Sequence, residues 1–253
     1  MILVTRRVDG RWTEPVVAPF SGTYLELEPA ISPDGKRFFF LSSRPPEGEE
    51  EKPGWGYQDI WVMDREGEAW GEPYNLGPPV NSDAPEYYPS VTRDGTLYFT
   101  REGENRQSFI YRSRVVDGAY QEPEKLPQQV NCGTSHFNAF VAPDESYLIV
   151  PIYGLEDSLG STDYSIVFRN SEDTWSDPIN LGDAINTKGG LEYAPYVSPD
   201  GEYFFFMSNR SRAAELSGPV LTTRKLHELH NAPETGLPYI WWVDASFIQD
   251  RRP

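Results

Sequence analysis

The chain has a single cysteine, Cys132, so no internal disulfide can form and the redox compartment leaves no mark on it. Basic residues are scarce: 22 Lys and Arg stand against 39 Asp and Glu, a formal net charge of −17. A surface of that sign repels phosphate backbones and anionic lipid, which argues against nucleic acid as a partner. Long hydrophobic runs are missing too. The longest, such as Phe38-Phe39-Phe40-Leu41 and Tyr239-Ile240-Trp241-Trp242-Val243, are strand-sized and far short of a membrane span. Residues Met1 to Arg7 lack the basic-then-apolar layout of a secretory signal, so the expectation is a soluble protein without an export address. Absent as well are a Gly-x-Ser-x-Gly nucleophile elbow, a phosphate-cradling glycine loop and a Cys/His metal cluster. The pair in His227-Glu228-Leu229-His230 is three apart, the wrong register for a His-Glu-x-x-His zinc site, and reads as a solvated helix face.

What is present is repetition. Turn signals recur as Pro33-Asp34-Gly35, Arg93-Asp94-Gly95, Pro143-Asp144-Glu145 and Pro199-Asp200-Gly201, their aspartates 60, 50 and 56 residues apart. A second signature recurs as Trp12…Glu14-Pro15, Trp70…Glu72-Pro73, Tyr120…Glu122-Pro123 and Trp175…Asp177-Pro178. Aromatic residues make up 14% of the chain, which suits strands stacked face to face. A period of this size built from strands and turns predicts an all-β fold, a β-propeller, because each unit is a small sheet that cannot bury its faces alone. The repeat spreads over residues 1–253, which are read as one domain, with a loop and short helix (Leu221 to Asn231) inserted at 209–238.

Four hairpins surround the repeated turns, yet five candidates exist for the third strand of a unit, because Ile2-Leu3-Val4-Thr5 and Val8 to Pro15 resemble the second half of a unit. The favoured count is therefore five blades with an incomplete N-terminal one; a four-bladed ring is the alternative. At the other end, Ser246-Phe247-Ile248-Gln249 is the stretch left for a last outer strand. The turn aspartates are read as structural: a short acceptor closes the turn and Gly permits positive φ.

The repeats Glu28-Pro29-Ala30-Ile31-Ser32-Pro33-Asp34-Gly35-Lys36 and Ala194-Pro195-Tyr196-Val197-Ser198-Pro199-Asp200-Gly201, with the endings Phe40…Arg44 and Phe206…Arg210, resemble the TolB-like, WD-repeat-like β-propeller family. The resemblance implies the propeller fold and covers nearly the whole chain. It includes partner-binding envelope proteins and propellers attached to hydrolases, so it implies a periplasmic or exported location without naming a function. Arg93 and Glu145 depart from the repeat, standing where the others have Pro and Gly.

Insertions gather on one face: Ser43 to Gln58, Arg101 to Ser108, Ile152 to Asp163 and Asn209 to Pro238. Seven residues before each turn stand Glu26, Glu86, His136 and Glu192, one per repeat at the expected channel mouth. Tyr87, Phe137 and Tyr193 follow them as candidate stacking surfaces, and Glu28, Tyr88, Asn138 and Ala194 form a less uniform column two positions on. Three readings of the ring stand open. Its members brace the blades by bonding backbone amides or an arginine of the adjacent blade; they form a polar recognition site; or they hold a divalent cation, calcium by the carboxylates or a transition metal by His136. Strand-end Arg44 and Arg210 are expected to brace blades through carboxylates or carbonyls. Trp55 and Tyr57, beside the acidic run Glu47 to Glu51, are either packing residues or a platform for a sugar or peptide. The favoured function is a non-catalytic scaffold binding a protein, peptide or small polar or carbohydrate ligand at this face. The alternative is a five-bladed glycosidase-like hydrolase, which needs two carboxylates about 5–9.5 Å apart, one protonated and one ionised.

Overall fold

The computed structural model describes residues 1–54, 56–211, 222–231 and 234–252. The fold is all-β, a β-propeller arrangement of four blades. Contacts divide the chain into two compact units, Met1–Leu126 and Pro127–Pro253, with two blades in each. Blade I runs Glu26–Ile31, Arg37–Ser42, Asp59–Glu66 and Tyr74–Asn75; blade II runs Glu86–Val91, Leu97–Glu102, Ser108–Ser113 and Glu124–Lys125. In the second unit, blade III has a broken first strand (Ser135–His136 and Phe140–Val141), then Tyr147–Tyr153, Thr162–Phe168 and Ile179–Asn180. Blade IV has three strands, Glu192–Val197, Tyr203–Ser208 and Tyr239–Asp244.

Among the described residues four blades are found, the alternative count, and not the favoured five. Leu3–Val4 pairs with Val16–Val17, and Arg7–Val8 with Arg11–Trp12, two short ladders with no inner strands of their own. The sequence of this hairpin imitates an outer blade hairpin for a physical reason. Its turn residues Asp9 and Gly10 (φ 49° and 78°) match Asp117 and Gly118 of blade II (49° and 80°). Positive φ at both central positions is the type I′ geometry that a twisted two-residue hairpin requires, wherever it stands in a fold. The expected last outer strand is also replaced: Phe247–Asp250 is a helical turn. Asp244 Oδ1 accepts the Ser246 N–H at 2.8 Å and turns the chain, and Ile248 then enters the core at 4% exposure. Within 209–238 the described residues hold a helix at Thr223–His230, while 212–221, 232–233 and Trp55 lie outside the described residues.

Strand alternation builds the cores. In blade I, Phe38, Phe40, Trp61 and Met63 pack with Ile2, Ala18 and Phe20, while Phe39, Ile60 and Val62 on the opposite face pack with Val91, Leu97 and Phe99 of blade II. In the second unit, Tyr147, Ile149, Tyr164 and Ile166 of blade III meet Val197, Phe204 and Phe206 of blade IV. Tyr164 reaches across and donates its hydroxyl to the Tyr193 carbonyl at 2.6 Å. All four turn aspartates accept the N–H two residues on, at 3.0–3.1 Å, as the turn chemistry requires.

One backbone feature recurs in every blade. Glu28, Tyr88, Asn138 and Ala194 all have positive φ (57°, 52°, 55° and 60°), and in blades I, II and IV the pairing register shifts at the same place. Each inner strand thus carries a bulge between its first residues and its turn-proximal half. A left-handed conformation costs an L-residue about 1–2 kcal/mol. Ala194→Gly is therefore expected to raise unfolding free energy by about 0.5–1 kcal/mol, the strain relief exceeding the added chain entropy. An unchanged or lower urea midpoint would count against strain at this position.

Candidate functional site

Glu26, Glu86 and Glu192 are each the first residue of an inner strand, and all three are fully buried. In the first unit, Glu26 accepts bonds from Ser21 Oγ (3.0 Å) and the Gly22 N–H (3.1 Å) and pairs with Arg44 at 3.2 Å. Glu86 accepts the Ser82 N–H (3.0 Å) and hydroxyl (2.5 Å) and pairs with Arg101 Nε at 2.6 Å. In the second unit, Glu192 Oε1 accepts bonds from Thr187 Oγ1 (2.6 Å) and Ser208 Oγ (2.9 Å), and its Oε2 accepts none from any described residue. Burial raises the Glu86 and Glu192 carboxyls above the ordinary range; Ser82 and Arg101 oppose this at Glu86, and Thr187 and Ser208 at Glu192. His136, also fully buried, lies in the short strand paired with Ile152–Tyr153.

An arginine clamp accompanies each glutamate. Arg44 donates to the Phe20 carbonyl (2.9 Å), Arg101 to that of Val80 (2.8 Å), and Arg210 to that of Ile185 (2.8 Å). The clamped carbonyl lies just before the segment that enters the next inner strand. Arg44 and Arg101 belong to the same blades as the glutamates they pair with, whereas the bracing reading expected an arginine of the adjacent blade. Tyr87, Phe137 and Tyr193, one residue on, are half-buried, and strand alternation sends them to the face opposite the carboxylates. Among the described residues no three His, Cys, Asp or Glu side chains group as a metal site would need. His227 and His230 are both exposed on their helix.

A second buried constellation escaped the sequence reading. In blade I, Asn81 accepts the Ile60 N–H (2.9 Å) and donates to the Ile60 carbonyl (2.9 Å) and to Asn75 Oδ1 (2.8 Å). Asn75 in turn donates to Asp59 Oδ2 at 2.6 Å. Blade III repeats the network: Asn186 accepts the Tyr164 N–H (2.8 Å) and donates to the Tyr164 carbonyl (3.0 Å) and to Asn180 Oδ1 (2.8 Å), and Asn180 donates to Asp163 Oδ2 (2.9 Å). The signal is present as Asn75-Leu76-Gly77-Pro78-Pro79-Val80-Asn81-Ser82 against Asn180-Leu181-Gly182-Asp183-Ala184-Ile185-Asn186-Thr187. The last residue of each octet is the hydroxyl that bonds the next glutamate.

Beside the blade I network opens a recess of about 490 Å³. Its floor includes Asp59, Asn75 and Asn81, and its rim carries Glu47, Glu49 and Asp83. Lys52 and Tyr57 stand at the same mouth, the Lys52 ammonium 4.0 Å from the Tyr57 ring centre. Burial raises the Asp59 carboxyl, opposed by the Asn75 bond and the Lys52 charge.

No family model matches the sequence, and no curated protein matches it. Among solved structures, TolB from Acinetobacter baumannii is similar at 15% identity and a TM-score of 0.42, over 72% of this chain and 39% of that one. The chain thus spans well under half of that protein. A putative TolB from Agrobacterium tumefaciens is similar at 15% identity and a TM-score of 0.43, over 74% and 71% of the two chains. A glycoside hydrolase is similar at 12% identity and a TM-score of 0.47, over 76% and 68%.

Proposed function

We propose that this protein is a non-catalytic, TolB-like β-propeller scaffold that binds a protein, peptide or small polar ligand through the loops at the strand-entry end of its blades. One observation carries the reading: the strand-entry glutamates are enclosed and bonded to Arg, Ser and Thr partners, while the recess that ends at Pro85, next to Glu86, is walled by inserted loop. A glycosidase needs two carboxylates that reach a sugar and exchange protons with it. Glu26, Glu86 and Glu192 have no exposed surface with which to do so. The repeat motifs quoted above supply the TolB-like part of the proposal.

The test pairs a binding screen with a turnover assay. The purified chain is applied to arrays of peptides and oligosaccharides, alongside a variant whose residues 47–54 are replaced by a Gly/Ser segment of equal length, and is assayed on aryl glycosides. The expected result is ligand retention by the parent, its loss in the variant, and no turnover. Glycoside turnover abolished by Glu86→Gln, in a variant that melts like the parent, would overturn the proposal in favour of the hydrolase.

A further inference from the structure

Blades I and III build the same Asp–Asn–Asn network but finish it differently. Asp163 of blade III is fully buried, and its carboxylate is filled from within the chain. Oδ2 accepts the Leu159 N–H at 2.8 Å as well as Asn180, and Oδ1 accepts the Gly160 N–H at 3.1 Å. In blade I the preceding loop does not fold back in this way. Asp59 accepts its bond from Asn75, and its other oxygen accepts none from a described residue, although the residue as a whole is only 8% exposed. Where blade III has two backbone N–H donors, blade I has the open recess.

The valences left on the recess floor fix the chemistry of what fits. Asn81 has spent its carbonyl and both N–H groups, and Asn75 Oδ1 accepts from both Gly77 and Asn81. What remains is acceptor capacity on Asp59 and the second N–H of Asn75, so a ligand that bonds Asp59 must bring donors. The rim adds Glu47, Glu49 and Asp83 against the one positive charge of Lys52, so the ligand must not be anionic. Tyr57 already presents its ring to an ammonium, that of Lys52, and so offers a cation–π surface. A planar guanidinium carries two parallel N–H donors in the spacing a carboxylate accepts, reproducing what Leu159 and Gly160 supply in blade III.

We infer that the blade I recess is a recognition site for a basic side chain of a peptide partner, its guanidinium or ammonium bonded to Asp59 and its stem lying over Tyr57. The inference rests on the loop-face binding reading and names the ligand class for it. Lys52 is then an internal competitor, a cation of the chain's own that lends its charge to the recess until the partner's cation replaces it.

The experiment is a calorimetric or chemical-shift titration of the full chain with N-acetyl-arginine amide, with N-acetyl-citrulline amide as the neutral isostere. The arginine amide is expected to bind with Kd on the order of 1 mM, and citrulline about tenfold or more weaker. Asp59→Asn, which keeps an acceptor for Asn75, should weaken the arginine amide about tenfold, and Lys52→Met should tighten it about threefold. If Asp59→Asn melts far below the parent, the rim pair Glu47→Gln/Asp83→Asn serves instead, with an expected loss of about threefold. Equal binding of citrulline, full affinity in the Asp59 or rim variants, or no binding up to about 10 mM would overturn the inference. An array hit without positive charge, lost with residues 47–54, would also overturn it yet leave the scaffold reading standing. No hit of any kind would remove both.

Discussion

Arg101→Met is expected to cost the protein about 3–5 kcal/mol of unfolding free energy, with the loss read as a lower urea midpoint. Glu86 is fully buried and Arg101 is 16% exposed in its side chain, so their 2.6 Å contact sits largely out of water. Methionine fills much of the arginine's volume over the Phe99 and Tyr111 rings, whose centres lie 5.5 and 5.1 Å from the guanidinium carbon. It cannot neutralise Glu86 or bond the Val80 and Pro79 carbonyls, which accept Arg101 Nη2 at 2.8 and 3.2 Å. A buried carboxylate left with Ser82 alone must keep its charge at a cost or take up a proton. Protonation gives the prediction its sign with pH. The folded-state pKa of Glu86 is already raised by burial, and removing Arg101 raises it further. The penalty is then smallest below the unfolded-state pKa and grows as pH rises through the folded one. Arg101→Met should therefore lose more stability at pH 8 than at pH 5, and adding Glu86→Gln should recover part of the loss at pH 8. A loss independent of pH, or no recovery, would mean that packing and the carbonyl bonds outweigh the ion pair.

The same residues show what could be read from the sequence and what could not. The Asp-Gly turns, the strands around them and the column Glu26, Glu86, His136, Glu192 were legible because each imposes a residue type: an acceptor at the turn, an apolar alternation, a buried acid or histidine at strand entry. The bulge two residues later was visible only as a column without a theme. It demands positive φ rather than a side chain, and Glu28, Tyr88, Asn138 and Ala194 meet that demand with four unrelated chemistries. The blade count misled because Asp9-Gly10 satisfies the local geometry of a type I′ hairpin, a property that carries no information about a surrounding sheet. The recess was half legible. The acidic run and Tyr57 were singled out, but Asp59, at the head of the apolar strand Asp59–Glu66, was not. Its difference from Asp163 lies in the loop path, which composition does not encode.

The asparagines make the sharpest prediction, because a single side chain there replaces a stretch of backbone pairing. Asn186 is fully buried and bonds both the N–H and the carbonyl of Tyr164, so it acts as one more rung of a strand ladder supplied by a loop. The next residue, Thr187, holds Glu192, and Thr162 accepts the Glu192 N–H at 2.9 Å while donating to its carbonyl at 2.8 Å. Asn186 thus fixes the entry of blade IV against blade III. Asn186→Ala removes the buried acceptor of the Tyr164 N–H and one of two donors each at the Tyr164 carbonyl, which keeps the Leu181 N–H (3.0 Å), and at Asn180 Oδ1, which keeps the Gly182 N–H (2.8 Å), for an expected loss of about 2–3 kcal/mol. Asn186→Asp is the more telling change, since it keeps the shape and the bond to the Tyr164 N–H. It turns two donors into acceptors facing the Tyr164 carbonyl and Asn180 Oδ1, and it buries a charge. The aspartate variant should therefore be no more stable than the alanine variant at pH 8 and should gain on it as pH falls, when a protonated carboxyl again offers one donor. Chemical denaturation of both variants at two pH values checks this. An aspartate variant close to the parent at pH 8 would show that the network tolerates repulsion, and that the packing of Tyr164 and Phe204 with the Tyr164–Tyr193 and Thr162–Glu192 bonds joins these two blades without it.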